Sequence, residues 1–318
     1  MQEKIDPELL KVLIDSPFNQ IDYPYLLMNH PSQIREEEMK ITRLEESLPI
    51  PSSLSVENIH IPSFETERSI RLRVYRRKGK QNLPVLLYFH GGAFIYGTPE
   101  QYDFILYRLA QDIDMVIASV DYRLAPEHPF PAAMEDGNDA LLWLSEAADY
   151  IGGNKNKIMI GGSSAGATIA ASITHCARDK KEINIHHQYL LYPPMDNLLK
   201  TSSMDKLSEA PMQTKNAAEW MWNHYLQHQT EHPPQYSVPL REKNFKDLPQ
   251  ATIIVCELDP LKDEGREYAT KLQNAGVTAT LLEIERAVHA FDFFPCSLSE
   301  TFYQQQVKLF KSILSQKS

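Results

Sequence analysis

The chain has 318 residues, 42% of them apolar and 23% charged, with a formal charge of −10. That length can bury a large core, while the lack of any Lys/Arg run removes the electrostatic footprint that nucleic acid requires. No stretch reaches the roughly 20 apolar residues of a membrane span, and acidic residues interrupt the opening MQEKIDPELLKVL where an export signal needs an apolar block.

Residues 1–48 are polar-rich and carry helix punctuation without strand signals. Asp6-Pro7 sets a capping residue before a proline at the first helical position. A second helix is predicted after Pro31, with Ile34, Met39, Ile41 and Leu44 among acidic neighbours. From about residue 52 β-rich runs begin. Ser69–Arg76 alternates as an antiparallel strand does. Short apolar runs then follow at Val85–Phe89, Met115–Val120, Lys157–Ile160, Gln188–Tyr192, Thr252–Val255 and Thr280–Ile284. Helix-period segments lie between or after them at Phe104–Ile113, Ala132–Ala148, Ala165–Arg178, Glu264–Ala275 and Glu300–Leu314. Near-continuous apolar strands separated by helices predict an α/β fold with a mostly parallel sheet covered on both faces. Residues 195–240 break the alternation and read as an insertion containing a helix. With residues 1–48 they are expected to form a helical cap on a catalytic domain of residues 49–318, over the sheet edge where such folds bind ligands. Phe18, Tyr23, Tyr25, Trp220 and Trp222 are read as core of that cap in preference to the lining of a substrate pocket.

Chemistry concentrates where Ile158-Met159-Ile160 runs into Gly162-Ser163-Ser164-Ala165-Gly166 and then into a helical pattern. G-x-S-x-G by itself is a weak signal, but between a strand and a helix it predicts a sharp turn presenting a strained serine. The helix begins at that serine, so its unpaired amides and positive dipole end favour nearby negative charge. Serine needs a base to take its proton and an acid to orient the base. Downstream, Asp259 follows the strand ending at Cys256, and His289 follows the strand ending at Ile284. Ser164, Asp259 and His289 therefore come in the order Ser, acid, His, each just past a strand's carboxyl end. Glu257 and Asp263 are the competing acids. Pro260 favours a loop position for Asp259, whereas Asp263-Glu264 reads as the cap of the next helix. Asp292 is too near His289 in sequence to orient it. His90-Gly91-Gly92-Ala93-Phe94 ends an early strand. The amides of Gly91, Gly92 and Ala93, with that of Ala165, are the candidate donors to a developing oxyanion.

Elsewhere the plainer readings prevail. Cys176, Cys256 and Cys296 are few, odd in number and far apart, which fits a reducing cytoplasm and buried thiols better than disulfides or a zinc site. His224 and His228 share a helix face but lack further ligands. Arg123, Glu127 and His128 are expected in a buried polar network within a proline-rich loop.

HGGAF at 90–94, DYRLAPEHPFPAA at 121–133, GSSAG at 162–166, DPLKDEG at 259–265 and HAF at 289–291 together resemble the hormone-sensitive-lipase-like (bacterial family IV) esterases of the α/β-hydrolase superfamily. The blocks fall in that family's order over residues 60–315. The resemblance implies an α/β-hydrolase fold with a helical cap, and hydrolysis of short- to medium-chain acyl esters without cofactor or metal. It also places oxyanion amides at Gly92 and Ala93. The partner expected is a small-molecule ester in the cytoplasm, with no nucleic acid and no stable membrane association; a homodimer is compatible with the sequence. Three positions depart from the family: Ser163 stands for Asp, and Ala167 and Ala93 stand for Gly. The same residues would serve amide or lactone cleavage. A ligand receptor on this fold is the reading from another class, and related plant hormone receptors lack the His that this chain keeps as His289.

Overall fold

The structure is a computed structural model that describes residues 2–44, 49–64, 67–181, 183–227 and 229–315. The strands are β1 (Leu54–Pro62), β2 (Ser69–Arg77), β3 (Leu83–Phe89), β4 (Val116–Asp121), β5 (Gly153–Ser163), β6 (His187–Leu191), β7 (Ala251–Cys256) and β8 (Ala279–Ile284). They form one eight-stranded sheet in the order β1-β2-β4-β3-β5-β6-β7-β8. β1 and β2 pair antiparallel, as do β2 and β4, while β3 to β8 run parallel. The helices are α1 (Pro7–Ile14), α2 (Tyr23–Asn29), α3 (Gln33–Leu44), α4 (Asp103–Asp112), α5 (Ala132–Ala147), α6 (Ala165–Lys180), α7 (Ser202–Lys206), α8 (Lys215–Leu226), α9 (Lys262–Asn274) and α10 (Ser297–Ser315).

Two apolar clusters cover the two sheet faces. Val85, Leu87 and Phe89 of β3 point into the cluster that holds α5 and α6. Leu86 and Tyr88 of the same strand point into the cluster that holds α4 and α10. This alternation is what period-2 geometry imposes on a strand buried on both sides, and it is why β3 reads as an unbroken apolar run. β1 has no such signature. Its middle residues are exposed or half-buried, so only its pairing with β2 defines it, and sequence patterning shows nothing beyond a β-rich region there.

The first helix starts as its sequence predicts. Asp6 Oδ1 accepts from the amides of Glu8 (3.0 Å) and Leu9 (3.2 Å), and Pro7 occupies the first turn. Its destination is less legible. Ile5, Leu9 and Leu13 are buried in the α10 cluster, and the Asp6 amide donates to Arg286 O at 3.1 Å. α2 and α3 go elsewhere. Leu26, Leu27 and Ile34 join Ile95 and Ala125 in a third cluster, flanked by Phe18, Tyr23, Ala217 and Trp220. Residues 2–44 are thus divided: α1 braces the body, while α2 and α3 lie with α8 above residues 95–96; residues 1 and 45–48 fall outside the described set. Among its described residues the insertion 195–240 holds the helices α7 and α8. Trp222 is core of the main cluster and Tyr25 is 54% exposed, so the five aromatics do not form one common cap core.

Among the described residues no helix is long and apolar enough to cross a membrane. Cys176 and Cys256 are buried, while Cys296 is half-buried with Sγ 3.2 Å from Ser299 Oγ.

Candidate active site

β5 ends at Ser163, and α6 begins at Ala165, leaving Ser164 alone in the turn. Its φ of 51° and ψ of −126° are far from the regions that L residues favour, a conformation that costs about 1–3 kcal/mol and persists only where surroundings impose it. Those surroundings are backbone. A Cβ on Gly162 would lie 2.5 Å from Phe89 O, and one on Gly166 would lie 2.1 Å from the same atom. The elbow therefore packs directly on the end of β3, and the Ser164 amide is tied to Leu191 O (2.9 Å) at the end of β6.

His289 follows β8 in a loop and is 5% exposed. Its Nε2 lies 2.9 Å from Ser164 Oγ, and its Nδ1 lies 2.6 Å from Asp259 Oδ2. Asp259 is fully buried just past β7, and its other oxygen accepts the Leu261 amide at 2.9 Å. One carboxylate oxygen is thus held by backbone while the other faces the ring. With Nδ1–H donating to Asp259, Nε2 is left to accept the Ser164 hydroxyl proton.

The competing acids have other work. Glu257 Oε2 accepts the Arg286 amide (2.7 Å), which pins the loop carrying His289. Asp263 Oδ2 accepts the Ser203 amide (2.8 Å), and Glu264 Oε2 accepts those of Met195 (2.8 Å) and Asp196 (3.0 Å). The expectation that Asp263-Glu264 cap a helix is corrected: both lie in the first turn of α9, and their carboxylates tie down the loop after β6 and the start of α7.

The loop after β3 reverses direction through three successive positive φ values, at Gly92 (122°), Ala93 (53°) and Phe94 (61°). At Gly92 a Cβ would sit 2.0 Å from Tyr96 O, so only glycine fits. His90 anchors the base of the loop. Its Nδ1 lies 2.7 Å from Gly91 O, and its ring stacks on Tyr122, whose hydroxyl donates to His90 O (2.8 Å). Burial pushes its pKa down to about 4, so the ring is neutral at neutral pH. Among the candidate oxyanion donors Gly91 is a correction. Its amide donates to Tyr102 Oη at 2.7 Å and is already spent. The amides of Gly92, Ala93 and Ala165 have no protein acceptor among the described residues.

Ala93 occupies a conformation that costs a residue with a Cβ about 1–2 kcal/mol. Ala93→Gly relieves that strain but frees the unfolded chain, which returns about 0.4–1 kcal/mol. Thermal unfolding should show the variant unchanged or slightly more stable. A clear loss would mean that the methyl contributes through its packing on the neighbouring core.

Ser163, Tyr102, Tyr192 and Asp292 also surround the site, and no motif spacing marked the last three. Ser163 Oγ donates to Tyr102 Oη (2.8 Å) and accepts from Tyr88 (3.2 Å), so a hydroxyl network fills the place beside the nucleophile. Helix α3 holds this loop. Arg35 of α3 donates to Ile95 O (2.6 Å) and Ala125 O (2.7 Å), and pairs with Glu127 at 2.7 Å. Buried Glu38 accepts from Tyr23 (2.8 Å) and Gln101 (3.0 Å). The polar network expected of Arg123, Glu127 and His128 takes a different form. Arg123 does bind buried Asp136 at 3.0 Å, but Glu127 and His128 are exposed. His224 Nε2 meets Leu27 O at 2.7 Å, and its expected neighbour His228 lies outside the described residues.

A mostly parallel sheet that sets these loops along the carboxyl ends of β3, β5, β7 and β8 defines an α/β-hydrolase. Residues 86–293 match the alpha/beta hydrolase fold family, and the chain belongs to it. Among curated proteins it is 35% identical over 254 residues to the carboxylic ester hydrolase LipN of Mycobacterium tuberculosis, covering 77% of this chain and 67% of that one. It is 33% identical over 222 residues to an arylesterase of Saccharolobus solfataricus, covering 69% and 72%. Among solved structures it resembles a bacterial heroin esterase (TM-score 0.90, 28% identity, 99% of both chains). It also resembles a hyperthermophilic esterase from Pyrobaculum calidifontis (TM-score 0.87, 32% identity, 98% and 99%).

Proposed function

We propose that the protein hydrolyses small carboxylic esters through an acyl-enzyme on Ser164. The observation that carries this is the continuous chain from Ser164 Oγ to His289 Nε2 (2.9 Å) and from His289 Nδ1 to Asp259 Oδ2 (2.6 Å). Ester hydrolysis by the relatives described above supports the same reading. Ser164 Oγ attacks the acyl carbon as its proton passes to His289 Nε2, and buried Asp259 stabilises the imidazolium formed. Negative charge gathers on the former carbonyl oxygen, which the amides of Gly92, Ala93 and Ala165 receive. The imidazolium then protonates the leaving alcohol and the acyl group stays on Ser164. Water then gives a proton to His289 Nε2 as it attacks the acyl carbon. The imidazolium returns that proton to Ser164 Oγ as the bond from Oγ to the acyl carbon breaks and the acid departs.

Acyl chains of short to medium length fit best. Directly after Ala93, Phe94 stacks on Tyr225 (3.8 Å between rings, 12°) and leans on Trp222 (5.7 Å), a filled aromatic wall beside the oxyanion loop. The physiological substrate is then a dissolved small molecule, and the three cysteines suit a reducing cytoplasm. A series of p-nitrophenyl esters from acetate to palmitate tests the reading. Turnover should be highest at short or medium chains and fall beyond them. A maximum at the longest chains would reject the chain-length preference, and no turnover of any ester would reject ester hydrolysis.

A further inference from the structure

Asp292 lies half-buried three residues after His289, and no Lys or Arg pairs with it among the described residues. Its Oδ1 accepts the Tyr192 hydroxyl at 2.8 Å. A carboxylate drawn partly out of water with no cation beside it is a cost to the fold, and such costs persist where they serve a site. Tyr192 is itself held under strain. Its φ is 37°, immediately past Leu191, whose carbonyl receives the Ser164 amide. The Tyr192 ring meets the His289 ring edge-on, with centroids 4.8 Å apart and planes at 65°. Asp292, Tyr192 and His289 thus form a contiguous set separate from the contact between His289 and Asp259.

We infer that Asp292, acting through Tyr192, is a positioning residue for His289: it fixes the ring and puts a second negative charge near it, favouring the imidazolium that the reaction forms. This rests on the proposed ester hydrolysis. Asp292 bonds Tyr192, and its charge also acts on His289, Tyr88 of β3, Tyr102, Tyr189 of β6 and Cys256 of β7. Burial holds those tyrosines and Cys256 neutral at working pH, because their pKa values are all raised. Burial also pushes Asp292 up to about 6 from 3.8. A carboxyl raised on folding binds its proton more tightly in the native state, so the stability linked to it is lost as pH rises from 3.8 to about 6. Ionised Asp292 consequently destabilises the fold at pH 7.5, and Asp292→Asn removes that penalty.

The test uses the full-length protein with Asp292→Asn and Tyr192→Phe. For p-nitrophenyl butyrate at pH 7.5, Asp292→Asn should lower kcat about tenfold, the scale of one lost charge contact, with KM within about twofold. The rising acid limb of kcat/KM should move to lower pH, since His289 loses a nearby anion. Thermal stability at pH 7.5 should hold or rise. Tyr192→Phe should reproduce part of the kcat loss, and it serves where the Asn variant does not fold. A proton NMR titration of His289 in the Ser164→Ala background reads the same coupling without any ester, and Asp292→Asn should lower the His289 pKa there. An unmoved acid limb and an unmoved His289 pKa would overturn the inference, as would a kcat loss matched by lost stability alone. Wild-type protein that cleaves no ester while His289 still responds to Asp292→Asn would reject the proposed reaction and leave the coupling standing.

Discussion

Ser164→Ala is expected to lower kcat for short-chain p-nitrophenyl esters by about 10⁴- to 10⁶-fold, with the fold intact. The magnitude follows from removing the atom that attacks, which leaves only binding and the oxyanion donors to act. The fold should tolerate the change because the Ser164 side chain makes one hydrogen bond among the described residues, to His289. The strained turn remains, since alanine meets the same backbone that holds Ser164 at a φ of 51°. His289→Ala should cost a similar factor, and the double variant little more than either single one, because the two act as a unit. Stopped assays with freshly purified protein, alongside labelling by a fluorophosphonate probe, measure this directly. Alanine at 164 with wild-type turnover would exclude the nucleophile assignment.

Gly166→Ala should be as damaging by a different route. Its Cβ would meet Phe89 O at 2.1 Å and His90 O at 2.4 Å. Both are backbone atoms at the end of a central strand, so no rotamer change relieves the overlap. Either α6 or the loop after β3 must move, and each carries part of the site. The expected cost is at the top of the single-substitution range, about 4–5 kcal/mol, against a total stability of about 5–15 kcal/mol for a typical domain. Urea unfolding should show a midpoint far below wild type, and residual folded protein should have lost most turnover through a displaced oxyanion loop. A stable and active Gly166→Ala variant would mean that elbow and strand are less tightly opposed than the structure has them.

The central parallel strands were legible because they are buried on both faces, which leaves an unbroken apolar run in sequence, while the edge strand β8 is largely half-buried or exposed. β1 was not, since its side chains sit half in solvent and its only definition is the ladder to β2. Boundaries shifted for a related reason. β5 runs from Gly153 to Ser163, well past the apolar run Lys157–Ile160, because pairing with β3 and β6 extends it through glycines and serine that carry no strand signature. The division of the first 44 residues was equally hidden. Leu9 and Leu13 of α1 and Leu26 and Leu27 of α2 are all buried leucines, and only tertiary contacts send the first pair to the α10 cluster and the second to the cluster beside α8.

At the site, chain order and strand context were enough to bring Ser164, Asp259 and His289 to one sheet edge, because every parallel strand delivers its following loop to the same side. Pro260 singled out Asp259 from Glu257 and Asp263 in the sequence, but what the other two carboxylates bind instead, the Arg286 amide and the start of α7, needed coordinates. So did the loss of Gly91 as a donor, which depends on a tyrosine eleven residues away. Asp292 shows the limit most plainly. Nearness to His289 in sequence ruled it out as the orienting acid, and it does not touch the ring nitrogens. Its link to His289 runs through Tyr192, one hundred residues earlier in the chain. Local sequence determines secondary structure, caps and the turn that strains a serine, because those depend on neighbours along the chain. Which buried groups meet, which amides stay free and where an unpaired charge sits depend on contacts between distant segments, and these only the tertiary structure decides.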